Sequence, residues 1–158
     1  MKREFLQRFT MLVLLTLALA TAAVSANAQS TANRVVANVP FEFSVGYKTL
    51  PAGEYSVEAI LSAGNGLLIK SSDGKISALR LSDSTRQIKE QSQARMVFHR
   101  YGERYFLAEV WNGVDQTGRR LTESQEERAL ESVLLASARE NAHPAATYEI
   151  VEVLALLR

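Results

Sequence analysis

The stretch Ala94-Arg95-Met96-Val97-Phe98-His99-Arg100-Tyr101-Gly102-Glu103-Arg104-Tyr105-Phe106-Leu107-Ala108-Glu109-Val110-Trp111-Asn112 decides the fold class. Two β-prone runs flank Tyr101-Gly102-Glu103, and glycine in so short a connection predicts a β-hairpin. In the second run Phe106, Ala108 and Val110 form one apolar face. Tyr105, Leu107 and Trp111 form the other, with Glu109 among them. A strand that is apolar on both sides is a central one, covered twice.

Toward the N-terminus the same period of two recurs. Phe41, Phe43 and Val45 alternate with Glu42 and Ser44, and Tyr55 to Leu61 alternates likewise. Pro51-Ala52-Gly53 marks a turn between them. Gly64-Asn65-Gly66 and Asp73-Gly74 mark two more, so Ile76 to Leu81 pairs back on Leu67 to Ser71. Ser82 to Gln93 is polar without a clear period and reads as a long loop.

Toward the C-terminus the period changes. Thr122 with Gln125 and Ser124 with Glu127 each fit a capping box. Glu123, Glu126 and Glu127 crowd a first turn, where the helix dipole favours negative charge. Leu130, Val133, Leu134 and Ser137 follow at helical spacing, so a helix ends before Asn141 and Pro144. If it docks by that face, Leu134→Asp costs several kcal/mol, because it buries an unpaired charge. Tyr148 to Leu157 is nearly continuous in apolar residues and reads as a final buried strand. Glu149 and Glu152 leave a helix as the rival reading. The sum is a mainly β chain: an antiparallel β-sandwich or open barrel of about seven strands, with one amphipathic helix near the C-terminus.

The first 28 residues read differently. Lys2, Arg3 and Arg8 precede an apolar run from Met11 to Leu19, and Ala26-Asn27-Ala28 is a small-x-small cleavage site. This order is that of a secretory signal peptide. The run is short for a membrane span, which needs about 20 apolar residues. The organisation expected is a signal peptide over 1–28, a flexible leader over 29–34 and one β-rich domain over 35–158. No membrane span is expected in the mature chain.

Cysteine is absent, which excludes disulfides and thiolate chemistry. Removing Lys2, Arg3, Arg8 and Glu4 leaves a mature formal charge of −1. Nucleic-acid binding, which rests on a strong positive excess, is therefore not expected. The middle of the chain is basic and its last part acidic. Either the two pack together, or the middle offers a basic surface to an anionic polymer.

Val39-Pro40-Phe41-Glu42-Phe43-Ser44-Val45-Gly46-Tyr47-Lys48-Thr49-Leu50-Pro51-Ala52-Gly53-Glu54-Tyr55-Ser56-Val57 resembles a block found in uncharacterised small secreted proteins of soil bacteria. There V-P-F-x-F-x-V-G-x-x-x-L-P-A-G-x-Y-x-V follows a signal peptide. Arg104 to Trp111 is similar to a second block of that group. The resemblance implies export and brings no active site with it. A strand, a Pro-Gly turn and a returning strand also explain the first block.

Chemistry-bearing patterns are few. His99 and His143 are the only histidines, and neither belongs to an H-E-x-x-H pattern. His99 is expected at the surface, within reach of Glu109 across the hairpin. No nucleophile elbow, Walker A loop or dinucleotide loop occurs. Glu103 with Glu109 is the nearest thing to a glycosidase pair. No cofactor or metal is expected. The candidate ligand-binding residues are Tyr101, Tyr105, Trp111, Arg100 and Arg104, since sugars and peptides dock on exposed aromatic faces. The opposing reading places Tyr105 and Trp111 in the core under the helix.

Three functions follow in order of expectation. The first is a non-enzymatic structural or protein-interaction module of the cell envelope, periplasmic or extracellular. The second is a carbohydrate- or peptide-binding module using the Tyr105/Trp111 face. The third is a small secreted hydrolase. The partner is thus an envelope protein or a glycan, and the oligomeric state is open.

Overall fold

Pro40 ends the first strand, because it has no N–H to extend a ladder. The computed structural model describes residues 34–60, 65–86, 93–114, 116–140 and 148–158. Eleven strands and one helix occur among the described residues. β1 (Val35–Val39), β2 (Phe43–Val45), β3 (Lys48–Leu50) and β4 (Gly53–Ala59) come first. β5 (Gly66–Ser71) and β6 (Ser77–Arg86) follow, then the hairpin of β7 (Arg95–Tyr101) and β8 (Arg104–Trp111). β9 (Thr117–Leu121) leads into helix α1 (Gln125–Glu140). β10 (Glu149–Leu154) and β11 (Leu156–Leu157) close the chain.

The mainly β expectation holds, with the helix near the C-terminus, but eleven strands replace about seven. Where one strand is expected over Phe41 to Val45, three short ones occur: β1 before Pro40, β2, and β3 after the Gly46-Tyr47 turn. The polar stretch expected as a loop is strand as far as Arg86, because Ser82 to Arg86 pairs with β9. β9 itself, Thr-Gly-Arg-Arg-Leu, carries no alternation to announce it. Among the described residues the pairing is antiparallel except at one place, where β2 meets β8 in parallel through Ser44 and Phe106. The signal peptide, the leader up to Asn33 and His143 lie outside the described residues.

The hydrogen-bonded path runs β10-β7-β8-β9-β6-β5-β4-β1-β11 and does not close into a continuous ladder. β6 belongs to two sheets. Its first half pairs with β5, and from Ser82 onward it pairs with β9. The C-terminal segment does the same at the other end: β10 pairs with β7 and β11 with β1. Ala155 stands between them and donates its N–H to the Ala94 carbonyl at 2.8 Å. Both sheets feed one core, in which Phe43, Tyr55, Phe98, Met96, Ile69 and Leu50 are almost wholly buried. Phe43 makes edge contacts with Tyr55 at 5.1 Å and with Phe98 at 5.3 Å.

A β-bulge decides which side chains face that core. Phe98 pairs with Leu107 and Val97 with Glu109, so Ala108 is the extra residue of β8. Tyr105 and Leu107 face inward before the bulge, and Val110 faces inward after it. Phe106, Glu109 and Trp111 point the other way. The single apolar face expected from Tyr105 to Trp111 therefore does not exist, because one inserted residue reverses the parity between them.

The helix differs from expectation too. Ser124 is its cap: the Ser124 hydroxyl accepts the Glu127 N–H at 3.0 Å. The Glu127 carboxylate does not complete a capping box, because it turns to His99 Nδ1 at 2.9 Å. From Ser132 to Ser137 every residue is exposed. Val133 is 65% exposed, Leu135 40% and Leu134 36%, so the apolar face is not docked on the sheet.

Candidate binding site

The five residues nominated from the sequence do not form one surface. Trp111 is buried on the outer side of β8. Its indole N–H donates to Glu109 at 3.0 Å, and the Arg95 guanidinium lies 5.0 Å from its ring. Gly118 opposite has no side chain, and the indole fills that space. Tyr101 is buried as well, beside Phe106 and Tyr148, and its hydroxyl finds no partner among the described residues. Burial, then the nearby Glu127, Glu131 and Glu123, hold the Tyr101 phenol well above the usual range. Neither ring is available to a ligand.

Tyr105 is half-buried and stacked on Phe41 with ring centroids 3.9 Å apart. The two rings, with Glu42, Thr49, Glu103 and Arg104, line an open cleft of about 180 Å³. The flanking arginines are engaged. Arg100 donates to the Gly102 carbonyl at 2.7 Å and to Glu149 at 3.0 Å, and its Cζ lies 5.5 Å from the Tyr105 ring. Arg104 pairs with Glu126 at 2.5 Å and lies over Phe106.

The expected His99–Glu109 pair is not formed. Phe106 stands opposite His99 in the ladder, and Glu109 is beyond the bulge. The Glu109 carboxylate instead accepts from Trp111 and from Arg120, at 2.9 Å from Arg120 Nε. It is not free to act with Glu103, which sits in the hairpin turn. His99 meets Glu127, and the Tyr148 ring stacks on it at 4.0 Å. This cluster ties the first turn of α1 to β7. Glu149 and Glu152, awkward in the sequence of β10, are each partnered by an arginine of β7, Glu149 by Arg100 and Glu152 by Arg95.

A larger cleft, of about 490 Å³, lies between the β2–β3 turn, β6 and the start of α1. Tyr47, at the turn, is 92% exposed. Arg80 and Arg128 line the same cleft with Glu123 and Glu126. Composition alone gave no reason to single out Tyr47, because its exposure comes from a two-residue turn inside the Val39–Val57 block. Beyond these clefts, aliphatic side chains stand exposed on three elements: Val133, Leu134 and Leu135 on α1, Ile150, Leu154 and Leu156 on β10 and β11, and Leu79 and Leu81 on β6.

Among the described residues no group of three His, Asp or Glu side chains is placed to hold a metal ion. Among them, too, no helix is long and apolar enough to cross a membrane. No protein family, curated protein or solved structure matches the chain.

Proposed function

We propose that the chain is a non-enzymatic, exported protein-interaction module of the cell envelope, working in the periplasm or outside the cell. The observation that carries this reading is the undocked apolar face of α1. An isolated helix shorter than about 12–15 residues is marginal in water, and helices in proteins gain most of their stability from packing. α1 has 16 residues, yet its ties to the sheet lie in the first turn, through Ser124, Glu126 and Glu127. Its remaining turns present Val133, Leu134 and Leu135 to solvent. Contiguous exposed aliphatics mark interaction sites, and an amphipathic helix laid in an apolar groove is a recurrent mode of recognition.

Two further observations support the reading. His99 and Glu127 form the acid–histidine pair that a reaction would need, and here they serve as an anchor for the helix. The leader sequence, with its basic start, apolar run and Ala26-Asn27-Ala28, supports export. A photo-crosslinking residue at Leu135, expressed in the source cells, tests the proposal. The expected result is one discrete protein adduct, lost when Val133→Glu is introduced while the melting temperature is kept. No adduct, or one indifferent to Val133→Glu, contradicts it.

A further inference from the structure

We propose that the cleft between the Gly46-Tyr47 turn and the start of α1 is a subsite for a neutral saccharide. The inference is independent of the α1 face and stands on how the cleft is built. Gly46 has φ +68°, and a Cβ there would lie 2.5 Å from Arg80 Cζ. Only glycine lets the turn backbone rest on that guanidinium in this conformation. Arg80 shares the inward parity of Ala78 and Ser82 on β6, and it reaches the Thr122 carbonyl ahead of α1 at 3.5 Å. Lys48 on the other side of the turn donates to the Ser77 carbonyl at 2.7 Å. The turn is therefore tied to β6 on both sides.

On this fixed turn stands a tyrosine that contributes almost nothing to the core. The Tyr47 ring is 92% exposed, with Arg80 Cζ 6.0 Å from its centre. Around it the cleft offers both signs of charge, Arg80 and Arg128 against Glu123 and Glu126, with the Gln125 amide among them. An anion would meet the two carboxylates, and a cation the two guanidiniums. A neutral sugar uses every part. Its apolar ring face stacks on an aromatic side chain, its hydroxyl oxygens accept from guanidinium and amide N–H groups, and its hydroxyls donate to carboxylates. The cleft's volume lies within the range of small-molecule sites, roughly 300–1,000 Å³.

The test is isothermal titration of the purified protein with chitohexaose, cellohexaose and xylohexaose, beside polygalacturonate and an extended uncharged peptide. Tyr47→Ala, Glu123→Gln and Tyr105→Ala are compared with wild type. Because Tyr47 is so exposed, Tyr47→Ala keeps the fold, which its melting curve checks. The expected result is that at least one neutral oligosaccharide binds, and that Tyr47→Ala weakens it about tenfold or more. Glu123→Gln weakens it as well, and Tyr105→Ala leaves it unchanged. The proposal is overturned if no neutral oligosaccharide binds, or if binding survives Tyr47→Ala or is lost in a Tyr105→Ala protein whose melting curve shows it folded. Binding of only polygalacturonate or only the peptide overturns it equally.

Discussion

Gly118 shows how closely single positions are set. A Cβ on it would fall 2.6 Å from the Trp111 ring, whose other side is taken by Arg95. Gly118→Ala should destabilise the protein by about 1–3 kcal/mol, the range for overpacking, with a matching fall in the urea midpoint. Tyr101 is the opposite case. Its buried hydroxyl has no partner among the described residues, and an unsatisfied polar group costs stability. Tyr101→Phe should therefore raise stability at neutral pH by on the order of 1 kcal/mol. The pH dependence has a definite sign. The folded phenol is held above its ordinary value, so stability is fully present below about pH 10 and is lost as pH rises, because the unfolded chain ionises first. Melting curves between neutral pH and about pH 11 should show Tyr101→Phe losing less stability than wild type above the ordinary phenol value of about 10. An equal loss would mean that Tyr101 is not the group responsible.

At the scale of elements, the Ala108 bulge and the helix mark where sequence reading stops. The β7–β8 hairpin was legible because Tyr101-Gly102-Glu103 is a local signal, and Gly102 has the positive φ it requires. Asp73-Gly74 was legible for the same reason. The bulge was not: strands apolar on both sides carry no parity, so nothing in Leu107-Ala108-Glu109 announces an extra residue. That one residue moved Trp111 away from Tyr105 and dissolved the expected binding face. The helix was legible as a helix, through Ser124 and the Leu130–Ser137 spacing, but its docking was not. Amphipathic spacing states that a face is apolar, and leaves open whether this chain or another covers it. With Leu134 36% exposed, Leu134→Asp should cost less than about 1 kcal/mol by thermal melting, as for a surface substitution. A loss of several kcal/mol would place the helix on the sheet.

For the whole molecule, β6 and the β10–β11 segment are two of the places where the chain passes from one sheet to the other around a common core. Both carry exposed aliphatics on their outer sides, as α1 does. The interior is accounted for by residues that alternate toward it, and on the proposed interaction-module reading a partner covers the outer aliphatics. The absence of cysteine makes this account directly measurable. Val133→Cys puts a single thiol on the apolar face of α1, and Glu103→Cys puts one in the exposed β7–β8 turn as a reference. Maleimide labelling rates of both variants are measured on the purified protein and on intact envelopes of the source cell. The account predicts fast labelling of both thiols in the purified protein, and protection of the α1 thiol alone in the envelope. Slow labelling of the α1 thiol in the purified protein, or equal labelling of both thiols in the envelope, would contradict it.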